Sequence, residues 1–448
     1  MELIGEYRPL LATLAGIAAI LVLILRVRMD AFAALLLAAI GAALLAGLSP
    51  DAAFGAVQSG MGGTLGFIAP VVGLGALFGA ILQAGGGIEA LARGVADRGA
   101  PRSRRFAMGG LGLVAATPVF FDVALIILLP FIVGLAKRAS QNPLSLGLPL
   151  AVGLAAGHAF IPPTPGPMAI ADLVGADLGW VVVFGLITGL VSVAVAGPVF
   201  TGWLERRGRL PASHPVIETS ERAPSRIGFG VAATLILLPL ILILGGTFAK
   251  LALSEGSGLR YAFSVVGHPF SALLIASGAA WVVLRSDAPE SRAHMRDVIS
   301  RALAPTAVVI LVTGAGGAFK QVLVDTGAGA QLAGQVLTLG LSPLLAGWAL
   351  ALLVRLAQGS ATVAMITAAG LVAPIAAAAG LSAPELGLLT VAIAAGATGF
   401  SHVNDSGFWL VSRLFGISER DTLRTWTVGT GLVALTGLAA VALMSLLV

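Results

Sequence analysis

Long apolar segments recur along this chain of 448 residues and limit the structures that it can adopt. Apolar runs over residues 11–25, 31–47 and 429–448 approach the roughly 20 residues that an α-helix needs to cross a bilayer. Because 58% of the residues are hydrophobic and only 10% are charged, the chain cannot present a charged surface to water on every side. The sequence therefore predicts an all-α polytopic membrane protein.

Several function classes are disfavoured by what the sequence lacks. It has no cysteine, and its five histidines show no metal-ligand spacing, so we expect no metal site and no cofactor. Neither a GxSxG nor an HExxH motif is present, so we expect no enzymatic activity. The net charge of +5 sits in short loops between apolar runs, which indicates membrane topology and not a nucleic-acid partner.

Basic residues predict the orientation of the chain in the membrane. Six clusters hold 21 of the 26 Lys and Arg residues, and the positive-inside rule places them in the cytoplasm. The clusters lie at residues 26–28, 93–105, 137–138, 206–226, 285–301 and 413–424. We predict a third span at residues 64–88, both termini outside, and Trp203, Trp281 and Trp426 as anchors at the membrane interface.

The first half of the chain contains two interruptions of apolar segments. Residues 106–136 are too few for two crossings, and a Thr, a Pro and an Asp interrupt their middle, so we predict a re-entrant hairpin. Residues 146–173 contain four prolines within residues 162–167, which no continuous helix can accommodate, so we predict a broken helix. Residues 1–204 form the first predicted repeat, and a cytoplasmic linker follows at residues 205–226.

The second half, residues 227–448, repeats this plan. Residues 314–336 align without gaps on residues 73–95 with eight identities, at an offset of 241 positions. The same offset predicts a second hairpin at about residues 337–384 and, within one residue, a second broken helix at about residues 385–414. Each half then has about five crossings, one hairpin and one broken helix, and the odd number makes the two halves inverted-topology repeats.

These four interruptions form the predicted binding site. Broken helices expose unpaired N–H groups and a positive dipole end in mid-membrane, which favour an anion, and hydroxyl and amide side chains suit a polyhydroxylated ligand such as a sugar acid. The predicted substrate-binding residues are Thr117, Pro118, Phe121, Asp122, Thr164, Gln358, Gly359, Ser360, Thr362, His402, Asn404, Asp405 and Ser406.

Ionisable residues inside the membrane are candidates for ion coupling. Asp122, Asp405 and His158 are the candidate proton carriers, although the aspartates could instead cap helix ends and the histidine could be a neutral hydrogen-bonding residue. Arg355 could pair with the substrate carboxylate, neutralise a site aspartate or anchor the second hairpin. Sodium stays open as the coupling ion because unwound carbonyls can coordinate it.

The run SHVNDSGFW at residues 401–409, followed by TLRTWT at residues 422–427, resembles the gluconate permease family of proton symporters. The interruptions TPVFFD at residues 117–122, PPTPGP at residues 162–167 and QGSAT at residues 358–362 are similar to the same family. The resemblance implies a bacterial inner-membrane protein, within the ion transporter superfamily, that takes up gluconate or a related hydroxycarboxylate with protons. It further implies an elevator movement and a homodimer in the lipid bilayer. An anion channel is the other class that broken helices and polar tips allow.

Overall fold

The computed structural model describes residues 8–96, 101–215, 227–285, 289–328, 331 and 342–448, and the regular elements in them are helices. The first half contains α1 (Arg8–Leu25), α2 (Ala31–Ala46), α3 (Pro50–Ala84), α4 (Gly87–Ala96), α5 (Pro101–Ala115), α6 (Phe121–Arg138), α7 (Pro143–Phe160), α8 (Pro165–Val174) and α9 (Leu178–Arg206). The second half contains α10 (Phe229–Ala252), α11 (Gly258–Val266), α12 (Pro269–Leu284), α13 (Pro289–Arg301), α14 (Ala307–Asp325), α15 (Pro343–Gln358), α16 (Ala361–Ala378), α17 (Ala383–Thr398), α18 (Ser406–Phe415) and α19 (Glu419–Met444).

Many of these helices are long and apolar enough to cross a membrane. Within the described residues seven spans meet this condition, and an eighth is added if α11 and α12, which meet at an angle of 67°, are counted as one bent span. Helices α2, α15 and α17 are apolar but shorter. The chain is therefore a multi-pass, all-α membrane protein, as the apolar runs predict.

Helix α3 differs from the predicted third span, which was placed at residues 64–88. The helix begins at Pro50, because the Ser49 hydroxyl caps it by accepting a hydrogen bond from the Ala52 N–H at 3.2 Å. It has 35 residues. Its length of about 52 Å exceeds the roughly 30 Å hydrocarbon core of a bilayer. Its glycine-rich segment is helical throughout. Gly60 lets α3 pack closely on α14, because a Cβ there would lie 2.5 Å from the Gly317 carbonyl oxygen.

The helices are interrupted at all four positions that the sequence indicates. Residues 116–120 separate α5 from α6, and residues 161–164 separate α7 from α8. Residues 359–360 separate α15 from α16, and residues 399–405 separate α17 from α18. We call these segments the first, second, third and fourth break. The predicted hairpins, with bounds 106–136 and 337–384, correspond to the pairs α5–α6 and α15–α16, although residues 337–341 lie outside the described residues.

Equivalent helices of the two halves make equivalent contacts. Helix α5 packs against α7 in the first half, as α15 packs against α17 in the second. Between the halves, α3 packs against α14, α2 against α14 and α12 against α3. The second helix of each predicted hairpin also packs on the other half of the chain. Helix α16 packs against α8, and α6 packs against α18. The two halves therefore interlock, and a helix that flanks each break packs against the other half.

Close backbone contacts between α5 and α7 hold the first two breaks together. A Cβ added to Gly112 would lie 2.3 Å from the Leu150 carbonyl oxygen, and one added to Gly153 would lie 2.2 Å from the Gly109 carbonyl oxygen. Small residues allow such approach between membrane helices. In the most apolar part of α7–α8, 89% of the residues are buried, so this broken helix lies at the centre of the molecule.

Candidate functional site

A central cavity of about 650 Å³ brings both halves of the chain together. Nine of the predicted substrate-binding residues line it, and they come from the first, third and fourth breaks and the helix turns next to them. These nine are Phe121, Asp122, Gln358, Gly359, Ser360, Thr362, Asn404, Asp405 and Ser406. The geometry thus brings three of the four breaks together around one cavity, and their role as the binding site stays a prediction.

Three helix N-termini point their first turns at this cavity. Asp122 lies in the first turn of α6, Thr362 in that of α16 and Gly407 in that of α18, and all three line the cavity. The N–H groups of a first turn have no partner within their own helix and carry the positive end of the helix dipole. Three such ends around one cavity favour an anionic ligand.

Arg355 joins the third break to the fourth break. Its guanidinium donates one hydrogen bond to the Gly359 carbonyl oxygen and forms an ion pair with the Asp405 carboxylate. Close by, the Asn404 amide donates to the Leu356 carbonyl oxygen at 2.9 Å. Of the three roles considered for Arg355, the structure therefore shows two, because this arginine neutralises a site aspartate and anchors the end of α15.

Asp405 also caps α18, as the alternative interpretation of this residue expected. One carboxylate oxygen accepts a hydrogen bond from the Gly407 N–H at 3.1 Å, and the other accepts one from the Ser401 hydroxyl. Ser401 in turn accepts a hydrogen bond from the Trp426 indole N–H at 2.7 Å, and its own N–H donates to the Thr430 hydroxyl at 3.0 Å. This network holds the fourth break against α19.

Asp122 has a different environment from Asp405. Among the described residues its carboxylate forms no hydrogen bond and no ion pair, and the negative charge of Asp405 acts on it. Asp122 is also not the capping residue of α6, because Phe120 occupies that position without a side-chain hydrogen bond. The capping interpretation is therefore confirmed for Asp405 and is wrong for Asp122.

Trp426 was predicted to anchor at the membrane interface, and this prediction is wrong. The side chain is only 2% exposed and lines the central cavity, where its ring lies 5.4 Å from the ring of Phe121. The error has a simple source, because α19 begins at Glu419 and Trp426 therefore lies about two turns inside the helix. Its position within the TLRTWT run was the signal that pointed to the site.

Thr117, Pro118 and Thr164 line a separate, small cavity of about 20 Å³ next to the central one. The Thr164 hydroxyl donates to the Ile161 carbonyl oxygen at 2.7 Å, and the Thr117 hydroxyl donates to the Leu113 carbonyl oxygen at 3.5 Å. A space of this size holds about one water molecule. The structure thus places these three residues beside the central cavity, and their contact with substrate stays a prediction.

The two candidate histidines occupy different places. His158 lines both the small and the central cavity, its ring lies 5.7 Å from that of Phe120, and its Nδ1 atom is buried without a hydrogen-bond partner. His402 is in the fourth break, where its Nδ1 atom lies 2.9 Å from the Phe400 carbonyl oxygen, and it does not line either cavity. His158 is therefore the better placed of the two for a role at the site.

Comparison with known proteins identifies the family. The family model described as "GntP family permease" matches residues 8–447. The chain belongs to the GntP family of permeases. The low-affinity gluconate transporter of Escherichia coli (strain K12) is 37% identical over 420 residues, which cover 93% of this chain and 94% of that protein. The gluconate permease of Pseudomonas aeruginosa is 34% identical over 440 residues, which cover 98% and 97%.

A solved structure supports the fold of this GntP family member. The YdaH transporter of Alcanivorax borkumensis superposes with a TM-score of 0.66 at 15% sequence identity, over 92% of this chain and 97% of that one. At this identity the likeness concerns the fold alone. Membership of a permease family makes the chain a multi-pass membrane transport protein and not an enzyme, and the gluconate permease resemblance of the sequence is confirmed.

Proposed function

We propose that this permease takes up gluconate or a related small hydroxycarboxylate together with protons. The observation that carries the proposal is the central cavity, where three helix N-termini and the Arg355–Asp405 pair meet. The positive dipole ends provide attraction for a carboxylate inside the membrane. The printed names of the relatives in Escherichia coli and Pseudomonas aeruginosa supply gluconate as the first substrate to test.

The size and polarity of the cavity suit a sugar acid. Its volume of about 650 Å³ falls in the range of about 300–1,000 Å³ that is typical of small-molecule sites. Its wall carries the hydroxyl groups of Ser360, Thr362 and Ser406, and the Gln358 Oε1 atom is buried without a hydrogen-bond partner. A buried acceptor without a partner costs free energy, and a hydroxyl group of the substrate would satisfy it.

Charge balance favours Asp122 as the proton carrier over Asp405. The charged side chains that line the cavity are Asp122, Arg355 and Asp405, and they sum to a charge of −1 when all are ionised. Asp405 is compensated by its ion pair with Arg355, whereas Asp122 is not. The negative charge of a bound substrate would add to this net charge of −1. The combination is unfavourable unless one of the two aspartates takes up a proton. We therefore assign the coupled proton to Asp122, and His158 lies in the wall of the same cavity.

The packing of the helices supports an elevator movement. The breaks belong to α5–α8 and α15–α18, whereas α12 and α14 both pack on α3, and these three helices contribute no break. We propose that the break-containing helices move with the substrate against a scaffold of α1–α3 and α10–α14. We also propose that the protein is a homodimer in the inner membrane with both termini outside. Residues 1–7 lie outside the described residues.

Sodium-coupled carboxylate transport is the second candidate, because the third and fourth breaks offer unwound carbonyl oxygens that could bind sodium. An anion channel is less consistent with a cavity lined by three breaks from two interlocked halves. An experiment must therefore decide whether the coupling ion is a proton or sodium.

The test is uptake of labelled gluconate into proteoliposomes under an imposed proton gradient. We expect accumulation that a protonophore abolishes and a sodium gradient does not support. Asp122→Asn should lose gradient-driven accumulation and retain gluconate exchange, because a neutral amide mimics the protonated carboxyl. Asp51→Asn is the matched control, since Asp51 lies in the first turn of α3 on an exposed surface away from the cavity.

The outcomes separate the candidates. Sodium-dependent accumulation would replace the proton as the coupling ion and leave the site in place. Unchanged accumulation by Asp122→Asn would remove Asp122 as the carrier. Absence of any gluconate transport by the folded wild-type protein would overturn the substrate assignment.

A further inference from the structure

A third cavity, of about 300 Å³, lies between α13 and the first break. We call it the α13 cavity. Residues 118–120 form one wall, and α13 contributes Asp297 and Arg301 to the opposite wall. On the basis of the proposed function, we propose that the α13 cavity is the site through which the substrate carboxylate leaves toward the cytoplasm, and that Arg301 is its cationic contact there.

The α13 cavity adjoins the central cavity directly. Both are lined by Phe120 and Val123, and Phe120 also lines the small cavity with Thr117 and His158. A single aromatic side chain at the first break thus stands between the proposed substrate site and the α13 cavity. A substrate that moves past Phe120 enters a space bordered by the side chain of Arg301.

Charge and chain order identify the side on which this cavity lies. Helix α13 carries Arg292, Arg296 and Arg301, and the positive-inside rule assigns such a basic segment to the cytoplasm. Helix α14 follows within a few residues, and its first-turn residues Val308 and Val309 line the central cavity. Both cavities therefore lie near the cytoplasmic end of α14, so a path between them leads toward the cytoplasm.

Arg301 is held in a way that lets it exchange partners. Its guanidinium lies 2.7 Å from the Asp297 carboxylate, one helix turn away, and the two side chains are 78% and 52% exposed. Ion pairs with this exposure contribute little net free energy, so a substrate carboxylate can replace Asp297 on Arg301. Asp297 and Arg301 are the charged residues that line the α13 cavity, and Asp297 therefore competes with the substrate for the same guanidinium.

The test compares gluconate transport from the two sides of the membrane. Right-side-out vesicles report the KM at the external face, and inverted vesicles report the KM at the cytoplasmic face. Arg301→Gln should raise the cytoplasmic KM by about two- to five-fold, and Asp297→Asn should lower it by about two-fold, because an exposed charge has a modest effect. The external KM should stay unchanged in both variants. High salt should reduce both differences.

The opposite signs distinguish a substrate contact from a structural pair. If the Asp297–Arg301 pair served only to stabilise α13, both substitutions would have the same effect. Arg296→Gln is the matched control, since it removes one positive charge from an exposed position of the same helix outside the cavity. Its KM values should equal those of the wild type on both sides.

Two results would overturn these assignments separately. Wild-type gluconate transport with unchanged cytoplasmic KM values in Arg301→Gln and Asp297→Asn would exclude the release site and leave the proposed function intact. Equal effects of Arg301→Gln and Arg296→Gln would reduce the role of Arg301 to general surface charge and also exclude the site. If the wild type carried no gluconate in either vesicle type, the proposed function would fall, and the release site with it.

Discussion

Arg355 and Asp405 form an ion pair across two breaks, although 50 residues separate them in the chain, and only 5% and 12% of their side chains are exposed. Burial makes each charge dependent on the other, because an isolated ion in such a place has lost its hydration without compensation. The pair therefore determines how the ends of α15 and α18 sit relative to each other.

Removing one member of this pair should destabilise the protein strongly. We expect Arg355→Gln to lower the free energy of unfolding by about 3–5 kcal/mol, because the Asp405 carboxylate is left buried and unpaired. The double variant Arg355→Gln, Asp405→Asn should recover part of this loss. Thermal unfolding of the purified protein in detergent measures both.

The exposed pair of Glu255 and Arg260 provides the control. Its atoms lie 3.4 Å apart and the Glu255 side chain is 91% exposed, so Glu255→Gln should change the free energy of unfolding by less than about 1 kcal/mol. A double variant no more stable than Arg355→Gln alone would contradict the interpretation that the unpaired charge is the cause.

Gly79 allows α3 to touch the first break. A Cβ at this position would lie 1.9 Å from the Pro118 carbonyl oxygen, so Gly79→Ala must displace the first break or α3. We expect a loss of about 1–3 kcal/mol in stability, as in other overpacked contacts, and a large fall in gluconate transport.

Gly75 is the matched control on the same face of α3, one turn away. A Cβ there would lie 3.5 Å from the Pro163 carbonyl oxygen, which is an ordinary contact, so Gly75→Ala should retain most of its transport. Transport assays and unfolding on both variants check the prediction, and similar transport in the two would mean that the first break tolerates displacement.

Gly359 should resist substitution for two reasons. Its φ of +87° is a left-handed conformation that favours glycine, and a Cβ would lie 2.1 Å from the Asn404 carbonyl oxygen. Gly359→Ala should therefore separate the third and fourth breaks and abolish gluconate binding.

Gly380 separates the two effects, because its φ is +64° but a Cβ would meet no atom within 4 Å. We expect Gly380→Ala to lose about 1 kcal/mol of stability from backbone strain and to keep its affinity for gluconate. Calorimetric titration of both variants is the measurement. Wild-type affinity in Gly359→Ala would show that the two breaks need not touch.

Trp426→Phe should weaken gluconate binding without unfolding the protein. The substitution keeps an aromatic ring beside Phe121 and removes the indole N–H that donates to Ser401, which in turn holds Asp405. Loss of one such hydrogen bond corresponds to a drop in affinity of about two- to ten-fold.

Trp203→Phe is the control, since the Trp203 side chain is 39% exposed and does not line the central cavity. Its affinity for gluconate should match that of the wild type. Equal affinities of Trp426→Phe and Trp203→Phe would show that the Ser401 network does not position Asp405 for substrate.

The positions of the breaks could be predicted from the sequence because their signals are local. A proline run such as residues 162–167 cannot form a continuous helix, whatever surrounds it. Polar residues within apolar segments predict the other three breaks. Gly359 ends α15 in a left-handed conformation and Asp405 caps the start of α18, and both are helix-end signals that depend only on neighbouring residues.

The contacts of the individual site residues depend on packing between distant segments. They are therefore harder to predict from the sequence than the positions of the breaks. The threonines at residues 117 and 164 look like free hydroxyl donors in the sequence, but each donates to a carbonyl oxygen four or three residues earlier in the chain. Trp426 precedes the apolar run at residues 429–448, which favours a position at a span end, whereas the helix itself begins at Glu419. The pairing of Arg355 with Asp405 was only one of three alternatives, because a distance across 50 residues has no local signature.

The interlocking of the two halves has a consequence for whether either half could work alone. The first half supplies Phe120 and Asp122 to the central cavity, and the second half supplies Gln358 and Asp405. Either half alone would possess only part of this wall. A cavity of this kind is therefore enclosed only when both halves are folded together, and a chain cut within the 205–226 linker should bind gluconate only if its two pieces reassociate.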